Sequence, residues 1–405
     1  MLPQCHFNLL RARVAPLLLL APFSALAAGH GVEARNDAMG GVGVASSLYG
    51  SAVLANPALM TQAAEGAGVS VILPAVGVQL TDGDHTLDKI DQIPDAIARF
   101  RTGVTDYASL RGAAGSLASQ LREVQGNRAW GHAGAALAVT LPDDEWPMAL
   151  VVNAYGSARV TAEIDQGDID YLQQIADGRR LPRPGDQDQL TSRGHGLAAL
   201  VTDYGVALAH PFRVGGMPVS FGITPKIQHT ALFNYDRAIY DYDKSDLTSG
   251  RYQRNQTGFN LDAGLSAQPG RDWTLGLSAR NLVPRDLDTK EVEGRRDTYR
   301  IRPLVTSGVA WQHERLTAAL DVDLTPDSRF RSEGKRQYAG AGVEYRAREW
   351  LQLRAGYRAD MRSTDANVAT AGVGLSPSPR VRLDLAGMAG EERTWGAVAQ
   401  LSLTF

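Results

Sequence analysis

The chain has almost no cysteine: a single residue, Cys5, in 405. Arg11 and Arg13 follow it, then an apolar stretch from Val14 to Leu20 that continues through Ala21, Phe23 and Leu26. Ala25-Leu26-Ala27 and Leu26-Ala27-Ala28 both offer a small-x-small cleavage pattern, so residues 1–28 read as a removable export signal. Cleavage takes Cys5 with it. The exported chain then has no thiol, which excludes disulfides and Cys-ligated metal. Cys5 also precedes the apolar stretch, the wrong side for a lipid-anchoring cysteine.

Charge of one sign is lacking too. Lys and Arg number 41, Asp and Glu 44. Loss of the signal removes two Arg and no acid, leaving 39 against 44, a net charge of −5. That balance sets up no field for nucleic acid. Beyond the signal, no run approaches the roughly 18 apolar residues that a membrane-crossing helix needs. The mean hydropathy of −0.20 fits a water-soluble chain, and equally a β-barrel whose lumen-facing residues dilute its lipid-facing ones. Catalytic groupings are missing as well. His30, His85, His132, His195, His210, His229 and His313 have no nucleophile arrangement with Ser or Asp and no metal-ligand spacing. No catalytic residue, metal or cofactor is expected, and the chain does not read as an enzyme.

What the sequence does have is alternation. Trp395, Ala397, Ala399, Leu401, Leu403 and Phe405 oppose Gly396, Val398, Gln400, Ser402 and Thr404. This is the period-2 pattern of a strand with one apolar face, ending on an aromatic residue. Leu320, Val322 and Leu324 likewise oppose Asp321 and Asp323, and Leu351, Leu353, Ala355 and Tyr357 oppose Gln352, Arg354, Gly356 and Arg358. About fourteen such runs are legible, near 66–80, 129–141, 146–160, 194–210, 217–233, 254–268, 272–281, 299–313, 315–325, 336–347, 350–360, 367–376, 379–388 and 395–405.

A two-sheet sandwich would also alternate. The connections separate the two readings. Those after runs one, three, five and seven are long, and those after two, six, eight, ten and twelve are a few residues. Loops sorted by parity, with an even strand number, describe an all-β transmembrane antiparallel up-and-down barrel of about 14 strands. Trp130, Trp146, Trp273, Trp311, Trp350 and Trp395 all fall at run ends, where an interfacial aromatic girdle would stand. Trp130 and Trp350 miss the apolar parity of their runs.

The first long connection, 82–128, differs. Tyr107, Leu110, Ala114, Leu117, Leu121 and Val124 recur at three- and four-residue spacing, and so do Ile90, Ile93, Ile97 and Phe100. These spacings predict one or two amphipathic helices in an outer loop, packed over the barrel mouth or against lipopolysaccharide, or forming a plain cap.

The segment before the first strand reads Arg35-x-x-x-Met39-Gly40-Gly41-x-Gly43-Val44-Ala45, then Asn56-Pro57-Ala58-Leu59. It lacks the spacing of a phosphate loop. Its glycines suit tight turns and close backbone approach in a crowded lumen. The segment resembles the N-terminal signature of the long-chain fatty-acid transporter superfamily of outer membrane proteins. Length, helical first loop and sequence character are most similar to the conjugal-transfer TraF-type outer membrane proteins. The resemblance implies a fourteen-stranded barrel in which residues 29–65 form a hatch that plugs the lumen and 66–405 form the wall. It nominates Arg35, Met39, Gly40, Gly41 and Gly43 as hatch-shaping residues and Asn56, Pro57 and Ala58 as neighbours of a ligand path.

Two prolines bear on passage. Val69, Val71 and Leu73 share a face before Pro74, and Val76, Val78 and Leu80 after it, so the face flips as at a bulge. Pro225 interrupts Val219, Phe221, Ile223 and Ile227. Each proline forfeits a ladder hydrogen bond, which would open a lateral gap or simply curve the wall. The lumen parity carries Asp203, Asp262, Arg280, Asp321, Asp323, Glu344, Arg346, Arg354, Arg358, Arg382 and Asp384. Ion pairs that stiffen the barrel, or a selective pore, would use these charges. The acids Asp236, Asp241, Asp243 and Asp246, with the group from Asp165 to Asp170, suggest solvated loops or Ca²⁺ held with lipopolysaccharide, but lack EF-hand order.

The expectation is therefore an exported outer-membrane barrel for passive transport of hydrophobic small molecules. The alternative is a structural or partner-binding envelope component of conjugal plasmid transfer. Expected partners are outer membrane lipid, lipopolysaccharide, the barrel-insertion machinery and a hydrophobic small molecule, with no nucleic acid. Leu401, Leu403 and Phe405 form the expected insertion signal.

Overall fold

The computed structural model describes residues 32–102, 106–181, 190–241, 250–327, 329–363 and 367–405. The expected export signal lies outside the described residues. Sixteen strands alternate with loops: β1 (Ser70–Thr81), β2 (Arg128–Leu141), β3 (Met148–Glu163), β4 (Arg193–Val214), β5 (Met217–Ala238), β6 (Gln253–Ala267), β7 (Trp273–Arg280), β8 (Arg285–Asp288), β9 (Thr298–Ile301), β10 (Leu304–His313), β11 (Leu316–Asp323), β12 (Tyr338–Arg348), β13 (Leu351–Asp360), β14 (Val368–Ser378), β15 (Val381–Gly390) and β16 (Trp395–Thr404). Fourteen of them close an antiparallel barrel in chain order, with β8 and β9 paired apart from it. The seam joins β1 to β16, where Val71 faces Leu403 and Leu73 faces Leu401. Closure matters because a spanning sheet has no water to satisfy a free edge.

The alternation sorts side chains as expected. Leu150, Ile227, Phe259, Leu275, Leu320 and Tyr357 stand exposed on the outer face, while Thr230, Asp321 and Asp384 are buried inside. An outer band of this size is a lipid-facing surface in a barrel. Trp273 and Trp311 are cross-strand partners, and Trp146 stacks on His210 at 4.4 Å. With Trp350 they ring the short-turn end. Trp130 does not join them: it faces the lumen, and Arg336 lies 3.9 Å from its ring centre. Its off-parity position in the run has this cause.

Pro74 makes a one-residue bulge. The register shifts between Leu73 and Val76 against β16 and between Ile72 and Ala75 against β2. Pro225 makes none: Gly205↔Lys226 and Leu208↔Ile223 share one register, and Pro225 pairs with Leu261. The run expected at 299–313 divides. Residues 298–301 leave the wall and pair with 285–288, and the barrel strand begins at Leu304, after Pro303. Proline cannot donate to the ladder and restricts the residue before it, so the strand breaks there.

The long-loop end is built up in two ways. The helices α2 (Thr86–Thr102) and α3 (Tyr107–Val124) occupy the first loop, and α4 (Gln166–Ala176) the second. Ile93, Ile97, Phe100, Leu110, Leu117 and Leu121 bury against Ile169, Leu172 and Ile175 of α4 and Ala162 of β3. The acids at 165–170 are not a solvated loop. Asp165 caps α4, and buried Asp168 accepts from the Thr191 and Ser192 amides. Such caps satisfy orphan helix donors. Asp236 is likewise buried, paired to Arg193 and Arg295, whereas Asp243 and Asp246 lie outside the described residues. Among the described residues no group of His, Cys, Asp or Glu is placed to hold a metal ion. Meanwhile the β8–β9 hairpin folds inward. Leu287, Tyr299, Ile301 and Phe330 pack on the lumen-facing Leu197, Val201 and Leu232.

The outer band predicts a depth-dependent penalty. Leu320→Arg places a charge in mid-strand on the lipid face and should cost about 2–4 kcal/mol. Reversible denaturant unfolding in lipid vesicles measures it, and a loss below about 1 kcal/mol would place Leu320 away from the bilayer centre.

Candidate functional site: the lumen and its hatch

Residues 32–65 lie inside the barrel. They form the helix α1 (Ala34–Ala38) and two 3₁₀ turns, Ala52–Leu54 and Pro57–Gln62, but no strand, so they join no ladder of the wall. Every buried backbone N–H and C=O on this segment still requires a partner. The wall supplies many of them from side chains. Asp321 Oδ2 accepts from Gly43 N at 2.7 Å and Val44 N at 2.8 Å. Thr370 Oγ1 accepts from Gly40 N and donates to Ala38 O, both at 2.9 Å. Gln400 Oε1 accepts from Ala34 N, and Ser278 Oγ donates to Ala55 O. Arg280 Nη2 donates to Leu54 O at 2.6 Å.

Close approach is made by glycine in the wall as much as in the hatch. A side chain at Gly342 or Gly356 would collide with the Met39 backbone, one at Gly340 with Gly40, one at Gly276 with Val44, and one at Gly222 with Pro57 and Ala58. These glycines fall on the lumen parity of β5, β7, β12 and β13, and they form a track into which the hatch backbone settles. In the hatch itself, Gly40 and Gly41 have φ of +77° and +82°, a region that only glycine adopts without strain.

One ion-pair chain fastens α1. Arg35 reaches Glu344 through Nε at 2.9 Å and Nη2 at 3.1 Å, and donates Nη1 to Ser46 O at 2.7 Å. Glu344 also accepts from Arg354 Nε at 2.7 Å, Arg354 Nη1 meets Asp384 at 2.8 Å, and Arg382 Nε meets Asp384 at 2.9 Å. The fork geometry is the strong form of this interaction, and satisfied neighbours make its burial tolerable. A second cluster lies on the opposite wall. Lys226 Nζ is 2.8 Å from both Asp203 and Asp262, and Gln228 donates to Asp203. Arg358 donates to Gln79 and faces the Tyr338 ring, and Asp323 accepts from Tyr338 N and Thr306.

The expected site residues therefore come together for the most part. Arg35, Met39, Gly40, Gly41 and Gly43 meet Asp321, Glu344, Arg354 and Arg358 across one interface. Arg346 does not: it stands exposed toward the β12–β13 turn and joins none of these ion pairs, because its parity is right but its height is wrong. Asn56 is fully buried. It caps the second 3₁₀ turn through Ala58 N and donates to Val44 O and Leu265 O, so it pins the hatch to itself and to β6. Pro57 and Ala58 rest beside it. Leu401 and Leu403 lie at the seam, and the Phe405 amide donates to Val69 O.

A cavity of about 40 Å³ lies between Asp37, Gly40, Gly43, Arg280, Asp321 and Arg358. A vestibule of about 330 Å³, lined by Glu33, Ser51, Ser70, Arg380 and Arg382, opens on the short-turn side. An apolar crevice of about 60 Å³ lies at the long-loop end, where Ile90, Ile93 and Pro94 of α2 face Val160, Gly194, Gly196 and Tyr235 of the wall.

The family model described as "F plasmid transfer operon, TraF, protein" matches residues 53–323. The chain belongs to this TraF family. No curated protein sequence matches it. Among solved structures, the Ralstonia pickettii toluene transporter TbuX is 14% identical with a TM-score of 0.55, over 93% of this chain and 99% of TbuX. The Pseudomonas putida toluene transporter TodX is 14% identical with a TM-score of 0.51, over 93% and 98%. A Pseudomonas aeruginosa FadL homologue is 11% identical with a TM-score of 0.50, over 95% and 99%. The TraF-family chain thus has the FadL-like barrel fold that its N-terminal signature implied.

Lys226, Gln228, Thr370 and the wall glycines were not singled out from sequence. Gly264, Gly276 and Gly356 sit on the polar parity of their runs, and glycine repeated on an inward face was the available signal. Asp321→Asn halves the acceptor that holds Gly43 and Val44, and should weaken docking of this turn by about 1.5–3 kcal/mol. Amide hydrogen exchange at Gly43 and Val44 should speed up by at least tenfold while exchange in β11 stays slow. Unchanged exchange at both amides would show that the carboxylate is not the latch.

Proposed function

We propose that this chain is an outer-membrane transporter in which a small hydrophobic molecule crosses a lumen closed by a displaceable hatch. The observation that carries the reading is the hatch's mode of attachment. It is held by side-chain hydrogen bonds, one ion-pair chain and contact with glycines, and by no strand pairing. A segment fastened in this way can move while the ladder stays intact. The apolar crevice beside α2 is a capture point for a greasy molecule. Met39, Gly40, Gly41, Gly43 and the Asn56-Pro57-Ala58 turn would border the route opened by displacement, with Arg35 as its fastening. The bulged seam at Pro74 offers a side route into the membrane.

The FadL-like fold, the lipid-facing band and the outward Leu401 and Leu403 beside Phe405 support an outer-membrane location reached through the insertion machinery. The similar structures, two toluene transporters and a FadL homologue, agree with a hydrophobic cargo.

A lock on the hatch tests this. Val44 Cβ lies 3.1 Å from where a Cβ on Gly308 would stand, a few tenths of an ångström below the roughly 3.5–4.5 Å that a disulfide spans; the new Cβ also presses on the Asp321 carboxylate, so the reduced double variant is the reference for the oxidised one. Val44→Cys with Gly308→Cys in the otherwise thiol-free exported chain should abolish uptake of a fluorescent hydrophobic probe when oxidised and restore it on reduction. Equal uptake in cells with and without the wild-type protein, together with reduced mating efficiency, would replace transport with the conjugation role.

A further inference from the structure

At the long-loop end a cleft of about 230 Å³ opens between Asp327 with residues 329–336 and the inner faces of β2 and β3. Trp130, His132, Arg159, Arg329, Lys335 and Arg336 line it. The carboxylates there are already engaged. Arg329 Nε lies 3.0 Å from Asp327, and Arg159 Nε 3.9 Å from Glu333. Burial pushes the Glu333 carboxyl above its ordinary range, while Arg159 draws it back.

Two further cations, Lys335 and Arg336, form no side-chain ion pair among the described residues, although Arg336 is the backbone bridge partner of Asp327 and draws the Glu333 carboxyl down. Arg336 packs on the Trp130 face and donates to the Tyr338 hydroxyl. Lys335 is exposed at the rim, and among the described residues no carboxylate lies within ion-pair distance of either.

His132 adds a donor. Arg329 Nη1 lies 2.7 Å from His132 Nδ1. A guanidinium can only donate, so Nδ1 accepts and the proton of the neutral ring sits on Nε2. His132 is 6% exposed, and its Nε2 has no hydrogen-bond partner. A buried donor without an acceptor is costly and calls for explanation. The cleft thus offers donors, an aromatic wall and more cations than carboxylates: Arg128, Arg159, Arg329, Lys335 and Arg336 against Asp327 and Glu333.

We propose that this cleft binds a small doubly charged oxyanion of the phosphate-monoester class. The surplus of cations suits a dianion, and guanidinium forks suit phosphoryl oxygens. The phosphate can come from a free solute or from a lipopolysaccharide headgroup. This inference is independent of the transport reading, because the cleft lies apart from the hatch contacts and its test measures no uptake.

The test is calorimetric titration of inorganic phosphate into the full-length barrel in detergent. Saturable one-to-one binding is expected, weakened at least tenfold by Arg336→Gln and by Lys335→Gln. Acetate at equal concentration should not compete. Binding present from the outset assigns the site to a free phosphate. Binding that appears only after lipopolysaccharide is stripped away assigns it to the headgroup. No saturable binding in either state, affinity unchanged in both variants, or acetate competing as well as phosphate would overturn the proposal. Cross-strand exchange protection in β2 and β3 confirms that each variant is folded.

Discussion

The interior of a closed barrel has to satisfy a peptide that brings no sheet of its own, and the rest of the structure is arranged around that need. Residues 32–65 pair part of their backbone within α1 and the two 3₁₀ turns, and desolvation makes each amide or carbonyl left over expensive. The response is divided between two kinds of wall residue. Asp321, Thr370, Ser278, Arg280 and Gln400 reach the hatch backbone directly. Glycines on the neighbouring strands remove the side chains that would hold it off. Without the glycines the acceptors would stand too far away, and without the acceptors close approach would bury unpaired polar groups.

This division explains how the charged lumen differs from a simple lattice of cross-strand ion pairs. Glu344 bridges Arg354 of the wall and Arg35 of the hatch, so one carboxylate both stiffens the cylinder and fastens its content. Lys226 between Asp203 and Asp262 is the contrasting case, wholly within the wall. Above that layer the β8–β9 hairpin turns inward and covers Leu197, Val201 and Leu232. The lumen is thus packed at two levels, by polar contacts around the hatch and by apolar ones around the hairpin.

Most of the barrel was legible in the sequence because its physics is local. Side chains alternate at period 2, connections alternate in length, and the Pro74 face flip marks a bulge that the register contains. What escaped depended on height or on distant partners. Residues 299–303 alternate like wall residues, yet Tyr299 and Ile301 find their apolar partners on an infolded hairpin. Arg346 has lumen parity but sits at the rim. Asp165 and Asp168 look like loop acids until Asp165 caps α4 and Asp168 takes the Thr191 and Ser192 amides. The hatch contacts were nominated by the Arg35 to Ala58 signature. Their counterparts, Gly342, Gly356 and Thr370, are ordinary strand residues until the hatch is laid against them.

The length of β4 and β5 has a mechanical consequence. Each has 22 residues, a reach of about 70 Å at roughly 3.3 Å per residue, against about 30 Å of hydrocarbon. Half of each strand therefore stands clear of any bilayer, and α2 leans on that free portion beside Gly194, Gly196 and Tyr235. Farther down β5 is Gly222, which lies against Pro57 and Ala58 of the hatch. The helices and the hatch turn therefore bear on the two ends of one pair of strands.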